Sequence, residues 1–214
     1  MQFSHLMKLI LVKVGLIISI SFSFSASATE EASSSTAAAD KAAGTVKAVC
    51  SACHGVDGNS VITLNPKLAA QHPDYLIKQL IEFKSGKRAN AVMTGMASGL
   101  SEDDMKGLAL YFTNQTLKLG AAKTNGKGSL GERIYRGGIV ATSVPACAGC
   151  HGANGSGLPK QFPRLGGQQA DYVQAQLKTF RTGERANAPM MMAIATKMTD
   201  IEIAAVSDYI QGLR

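Results

Sequence analysis

Apolar residues recur along this chain at helical spacing, and no stretch shows the strict alternation of a half-buried strand. Leu76, Leu80 and Phe83, with Gln79 among them, share one helical face, and Val173, Leu177 and Phe180 do the same. Each stretch runs out at a glycine, Gly86 or Gly183, a common C-terminal stop. Two later helices open with capping signatures, Ser101-Glu-Asp-Asp104 and Thr199-Asp-Ile-Glu202. Between these groups, Asn114 to Ser129 is rich in Lys, Gly and Asn and has no periodic apolar face, so it reads as a linker. The pattern predicts an all-α chain.

These helices are copies of one another. Slid by 97 residues, Pro66-Lys-Leu-Ala69 meets Pro163-Arg-Leu-Gly166, and the run Tyr75 to Asn90 meets Tyr172 to Asn187. Past Asn187 the offset becomes 98, so that Leu100-Ser101 meets Met198-Thr199 and Tyr111 meets Tyr209. The second copy also carries extra residues between Arg136 and Pro145. A duplicated domain follows, with copies at 41–116 and 130–214 and a linker at 117–129. Ahead of it, Lys8 and Lys13, the apolar run Val14 to Phe24 and the small residues Ala26-Ser27-Ala28 read as a cleavable export signal over 1–28. That run is short of the roughly 20 residues a membrane span needs. Residues 29–40, small and polar, read as a flexible leader. Two domains this small, without a single Trp, each need a large apolar body to fold around.

The cysteines supply one. The chain has four, and they form Cys50-Ser-Ala-Cys53-His54 and Cys147-Ala-Gly-Cys150-His151. Cys-X-X-Cys-His is the attachment site of c-type haem: two thiols add across the vinyl groups of one porphyrin, and the adjoining imidazole is carried under the iron. A four-cysteine zinc site would have to join pairs 97 residues apart and leave both His as coincidences. A thiol–disulfide centre usually sits in a βαβ pattern, which is absent. The expected cofactors are therefore two haem c, with His54 and His151 as axial iron ligands.

Methionines concentrate where a second axial ligand belongs. Met93 and Met96 follow Arg88-Ala-Asn90, and Met190, Met191 and Met192 follow Arg185-Ala-Asn187. Most such methionines are flexible core fillers. Met93 stands seven residues before Leu100, and Met191 stands seven before its counterpart Met198, whereas the upstream offset selects Met190. Placing the ligand by the final helix makes Met93 and Met191 the expected axial partners. His72 faces Gln169 in the repeat and is expected to be an ordinary surface residue. Pro66 and Pro163 each follow the motif His by twelve residues, where a rigid carbonyl can accept the second imidazole N–H.

Taken together, the two haem motifs, both Pro-Lys/Arg-Leu loops, both Arg-Ala-Asn…Met segments and the Tyr209-to-Leu213 ending resemble the cytochrome c4 family. The resemblance spans everything after the leader. It implies two tandem class I cytochrome c domains, each wrapped around one covalent haem with His/Met ligation. It also implies transfer of single electrons in the periplasm between redox proteins, from a quinol–cytochrome c reductase or another donor to a terminal oxidase. Two other functional classes stay open, the cytochrome subunit of a periplasmic dehydrogenase, such as a flavin sulfide dehydrogenase, and a di-haem peroxidase. Residues 29–119 hold nine Lys/Arg and nine Asp/Glu, while 120–214 hold eleven and six. That imbalance points to an acidic partner surface docking on the second half, with transient association at a membrane surface also compatible. No basic run suggests nucleic acid.

Overall fold

A computed structural model describes residues 37–214. The export signal and most of the leader lie outside the described residues. Helix at 37–45 continues through a π-helical stretch, Val46–Cys50, into Ser51–His54, and together these form α1. The first half then runs through α2 (Pro73–Lys84), α3 (Ala91–Ser98) and α4 (Glu102–Thr113). The second half has α5 (Leu130–Gly137), a 3₁₀ turn at Val140–Thr142, α6 (Ala148–His151), α7 (Ala170–Thr182), α8 (Pro189–Ala195) and α9 (Asp200–Gly212). The described residues contain no strand, only isolated bridges at Ile139/Val144 and Leu158/Phe162.

Both predicted capping boxes are made. Ser101 and Asp104 exchange hydrogen bonds at the start of α4, and Thr199 and Glu202 do so at the start of α9. Gly183 ends α7 in the left-handed region, at φ 82°. In each half the first helix crosses the last at small residues. Ala42 lies against Gly107, and a Cβ on Gly131 would sit 2.2 Å from the Ala205 carbonyl oxygen. The first crossing corrects the leader assignment. Residues 37–40 are already helical, because Ala38 and Ala42 lie against Gly107 and Lys41 pairs with Asp104 at 2.6 Å.

The two cores differ in size. In the first half Val46, Leu76, Leu108, Ala109 and Phe112 form a small cluster. The second half buries a larger one, from Ile134 and Tyr135 through Val173 and Leu177 to Ile203, Val206, Tyr209 and Ile210. Val144 and Ile139, from the residues that the second half alone carries, add to it.

The halves meet in a near-twofold arrangement. Gln71 accepts from Arg164 N at 2.9 Å and donates to Arg164 O at 3.0 Å, while Gln168 accepts from Lys67 N at 2.8 Å and donates to Lys67 O at 2.9 Å. Arg88 donates to Tyr172 and Gln176, and Arg185 donates reciprocally to Tyr75 and Gln79. Each residue faces the counterpart of its own partner, as in a self-complementary dimer interface built within one chain. The linker is strapped to both sides. Asn59 holds Thr116 O and Lys118 N, and Asp208 accepts from the backbone amides of Lys123, Thr124 and Asn125 at 2.8 Å each.

Candidate haem sites

Each motif His closes a short helical turn and is buried, His54 to 8% and His151 to 6% exposure. In both, ring Nδ1 lies 2.9 Å from a proline carbonyl oxygen, Pro66 for His54 and Pro163 for His151. The loop that returns each proline is closed at a glycine. Gly58 O accepts from Leu68 N at 2.7 Å, and Gly155 O accepts from Leu165 N at 2.7 Å. A side chain at either glycine has no room, since a Cβ would come within 2.8 Å of Ala69 N or 2.5 Å of Gly166 N. Both glycines also have positive φ.

With Nδ1 given to the proline carbonyl, Nε2 is the ring atom left to bind a metal. Burial lowers both imidazole pKa values, and the carbonyl bond only partly opposes it. The rings are therefore held neutral, the state a metal ligand requires. The thiols shift the other way. Burial raises Cys50 and pushes Cys147 up to about 11. A disulfide-exchange centre needs a depressed thiol pKa, so these shifts oppose that chemistry.

The donor set fits haem in a second respect. Arg164 Nε is buried without a hydrogen-bond partner, beside the proline that holds His151. A buried unpaired donor costs about 1–3 kcal/mol. The carboxylates of a haem are acceptors suited to it.

Met93 is the third residue of α3, half-buried, and Met191 is the third residue of α8, half-buried against the second core. Met96 and Met190 are largely exposed, at 49% and 57%, and Met192 is half-buried. The helix starts also locate the extra residue of the second half. Asn90 caps α3 by accepting from Met93 N at 2.9 Å, whereas α8 is preceded by Ala188 and begins with Pro189. Asn187 instead turns into the domain interface, donating to Gln79 at 3.1 Å and to Glu82 at 2.6 Å.

His72 departs from expectation. Its Nε2 lies 2.9 Å from Ser156 O of the other half, so it is an interdomain residue. The interface also draws on Gln71, Gln79 and Arg88 and their counterparts Gln168, Gln176 and Arg185, none of them a predicted site residue. Their signal was available: Gln79 and Gln176 both interrupt an otherwise apolar face at matched repeat positions.

Two family models match the chain: "Cytochrome c" over residues 130–214, and "Cytochrome C oxidase, cbb3-type, subunit III" over 37–112. Two haem-binding domains in tandem thus define the class, a helical di-haem c-type cytochrome. The cytochrome c4 of Pseudomonas aeruginosa is 48% identical over 182 residues, covering 83% of this chain and 90% of that protein. The crystal structure of reduced recombinant cytochrome c4 from Pseudomonas stutzeri superposes with a TM-score of 0.77 at 43% identity, covering 82% of this chain and 98% of that one. A thiosulfate dehydrogenase electron acceptor from Thiomonas intermedia is 37% identical over 168 residues, covering 76% of this chain and 77% of that protein. The chain belongs to the cytochrome c4 family: it is an electron carrier with two covalently bound haem c.

Proposed function

We propose that this carrier works in the periplasm, where His54 with Met93 would hold one haem iron and His151 with Met191 the other. Thioethers link the haems at Cys50, Cys53, Cys147 and Cys150. The observation that carries the reading is a paired geometry. Twice, a buried imidazole faces a proline carbonyl through Nδ1, and twice a half-buried Met is the third residue of the helix after an Arg-Ala-Asn segment.

When bound, each haem supplies a one-electron Fe(III)/Fe(II) couple, and a thioether ligand raises its potential relative to bis-His ligation. The protein's part is to hold the couple still. Pro66 and Pro163 fix the tautomer and plane of each imidazole. In the first half Ser60 and Asn65 also anchor the Cys53 carbonyl, at 2.7 and 3.1 Å. Tyr135, fully buried, ties α5 to the second motif by donating to Gly152 O at 2.7 Å. With a His and a Met candidate in each half, neither haem would need an open position for a substrate, which favours a carrier over a peroxidase. Among the described residues no helix is long and apolar enough to cross a membrane.

The donor and acceptor are redox proteins, with a terminal oxidase as the acceptor the family resemblance implies. A dehydrogenase as donor is the second reading, favoured by the relative named a thiosulfate dehydrogenase electron acceptor. Spectra of the purified protein test the whole. Reduced in alkaline pyridine it should give two c-type haems per chain, and the ferric protein should show the weak sulfur-to-iron charge-transfer band at both haems. One haem, a missing band, or rapid peroxide turnover would each refute the assignment.

A further inference from the structure

The domain interface holds three buried charges that do not balance. Arg88 and Arg185 are each 7% exposed, and the one carboxylate among them, Glu82, is 6% exposed. Each guanidinium lies over an aromatic ring of its own half, Arg88 at 4.5 Å from the Phe83 centroid and Arg185 at 4.3 Å from that of Phe180. Burial works against the Arg88 charge, but Tyr172, Tyr75 and Glu82 outweigh it. Glu82 is likewise kept ionised, since Lys78, Asn187 and Lys87 overcome the effect of its burial. Lys78 and Lys87, exposed at 46% and 66%, reach that carboxylate from the solvent side at 2.6 and 3.4 Å. The buried guanidiniums are therefore left in excess, and the cluster is net positive.

Position makes that charge shared. By chain, Arg88 stands five residues before Met93, and Arg185 six before Met191. By hydrogen bonds each bridges the two halves: Arg88 reaches Gln79 of its own half at 2.8 Å and Tyr172 and Gln176 of the other at 3.0 and 2.8 Å, and Arg185 reaches Gln176 of its own half at 2.7 Å and Tyr75 and Gln79 of the other at 3.1 and 3.2 Å. Gln79 binds both guanidiniums and Asn187 as well, so the cluster is continuous across the boundary. The carboxylate has no counterpart, because Thr179 stands where the repeat would place it.

We propose that the cluster of Arg88, Arg185 and Glu82 is a single electrostatic control on both haems, setting their two reduction potentials together. A fixed positive charge between the domains opposes the extra positive charge that each iron carries when oxidised. In a buried site that influence is weakly screened and reaches both sides. A change in either arginine therefore moves both couples, not only the one in its own half.

The inference rests on two haems being bound, one per domain, so the haem count of each variant is measured first by its pyridine spectrum. Equilibrium redox titration of the full-length holoprotein then reads the two midpoints. They are assigned to domains by Met93→Ala, which shifts one of them. Arg88→Gln and Arg185→Gln should each lower both midpoints, and Glu82→Gln should raise both. Raising the salt concentration should leave these shifts in place. Tyr172→Phe cuts a cross-domain bond without changing charge and should leave both midpoints where they were. If an arginine variant fails to fold, Glu82→Gln still decides the matter by the sign and breadth of its effect. Shifts confined to the variant's own domain overturn the proposal, as does movement in the same direction for Arg and Glu variants, or an equal shift from Tyr172→Phe. One haem instead of two in the unaltered protein would refute the haem-site reading, whereas two haems with midpoints unmoved by the charge variants would refute the cluster.

Discussion

The first and second halves share their helix order, their His–proline contact and their close helix crossing, yet they secure the Met-bearing helix by different means. In the first, Asn90 caps α3 through the Met93 amide. In the second, the matching Asn187 has left that task and bonds to Glu82 and Gln79 across the domain boundary. Pro189 makes the exchange tolerable. At the first position of α8 it has no N–H to satisfy, and its ring presets the helical φ. One inserted residue, Ala188, thus converts a local cap into an interface contact. Duplication supplies two equal scaffolds, and the two diverge where one half must meet the other.

Removing the ligand candidates breaks this comparison most sharply. Met93→Ala and Met191→Ala should each abolish the sulfur-to-iron band of one ferric haem and lower that haem's potential, since the thioether favours Fe(II). Near-infrared spectra and redox titration check both. If Met190→Ala acts this way while Met191→Ala is silent, the halves do not correspond through the starts of α3 and α8.

That register was half legible in the sequence. The helical class, the capping boxes and the tandem haem domains could be read directly, because each leaves a periodic or repeated signature. The offset of 98 could be read too, and placing the ligand by the final helix selected Met191 over Met190; the structure adds that Met93 and Met191 both stand third in their helices. The interdomain role of His72 could not be read, because its partner is a backbone carbonyl, Ser156 O, and carbonyls carry no letter. For the same reason the linker looked free. Its ties are to backbone amides held by Asp208, a single acid inside a helix 83–85 residues away in sequence.

Asp208 gives the next largest effect, and one the first half lacks. Burial opposes its charge, but three backbone N–H bonds outweigh this and hold the carboxyl at about 2. A depressed carboxylate stabilises the fold fully above its unfolded value of about 4, and that contribution is lost as pH falls through the folded value. The strap should therefore hold at neutral pH and loosen between about pH 4 and pH 2. Asp208→Asn should cost about 1–2 kcal/mol at pH 7 and remove that acid dependence. Urea unfolding at pH 7 and pH 3 checks it, and equal losses at both would mean the carboxylate is not the holding group.

The caps come third. Asn90→Ala should cost about 1 kcal/mol, as a lost N-cap does, and should weaken the Met93 band on heating before the Met191 band. Asn187→Ala should leave the α8 start intact and loosen the interface, because Glu82 loses a 2.6 Å donor. Thermal melts followed at each haem's charge-transfer band separate the cases. Loss of the second band ahead of the first in Asn187→Ala would show that Asn187 still supports α8.

Docking is the smallest effect, and the structure narrows how it can be tested. The second half has five more basic than acidic residues, eleven against six, while residues 29–119 balance at nine each. Several of those charges are unsuitable probes. The Arg164 side chain is buried at Nε, Lys67 Nζ donates to the Lys118 carbonyl, and Lys78 reaches Glu82, so reversing any of them would disturb the fold. Lys160 is exposed in the loop ending at Phe162, whose ring stacks edge-on with His151 at 5.8 Å, and Lys47 is exposed within the π-helical stretch that ends at Cys50. If an acidic partner is steered to the second half, Lys160→Glu should slow association severalfold and Lys47→Glu should barely change it. Both rates should converge as salt rises and the Debye length falls from about 30 Å at 0.01 M to about 10 Å at 0.1 M. Stopped-flow electron transfer with an acidic redox protein measures this. Equal slowing by the two variants would place the docking face on both halves, and a greater loss from Lys47→Glu would move it to the first.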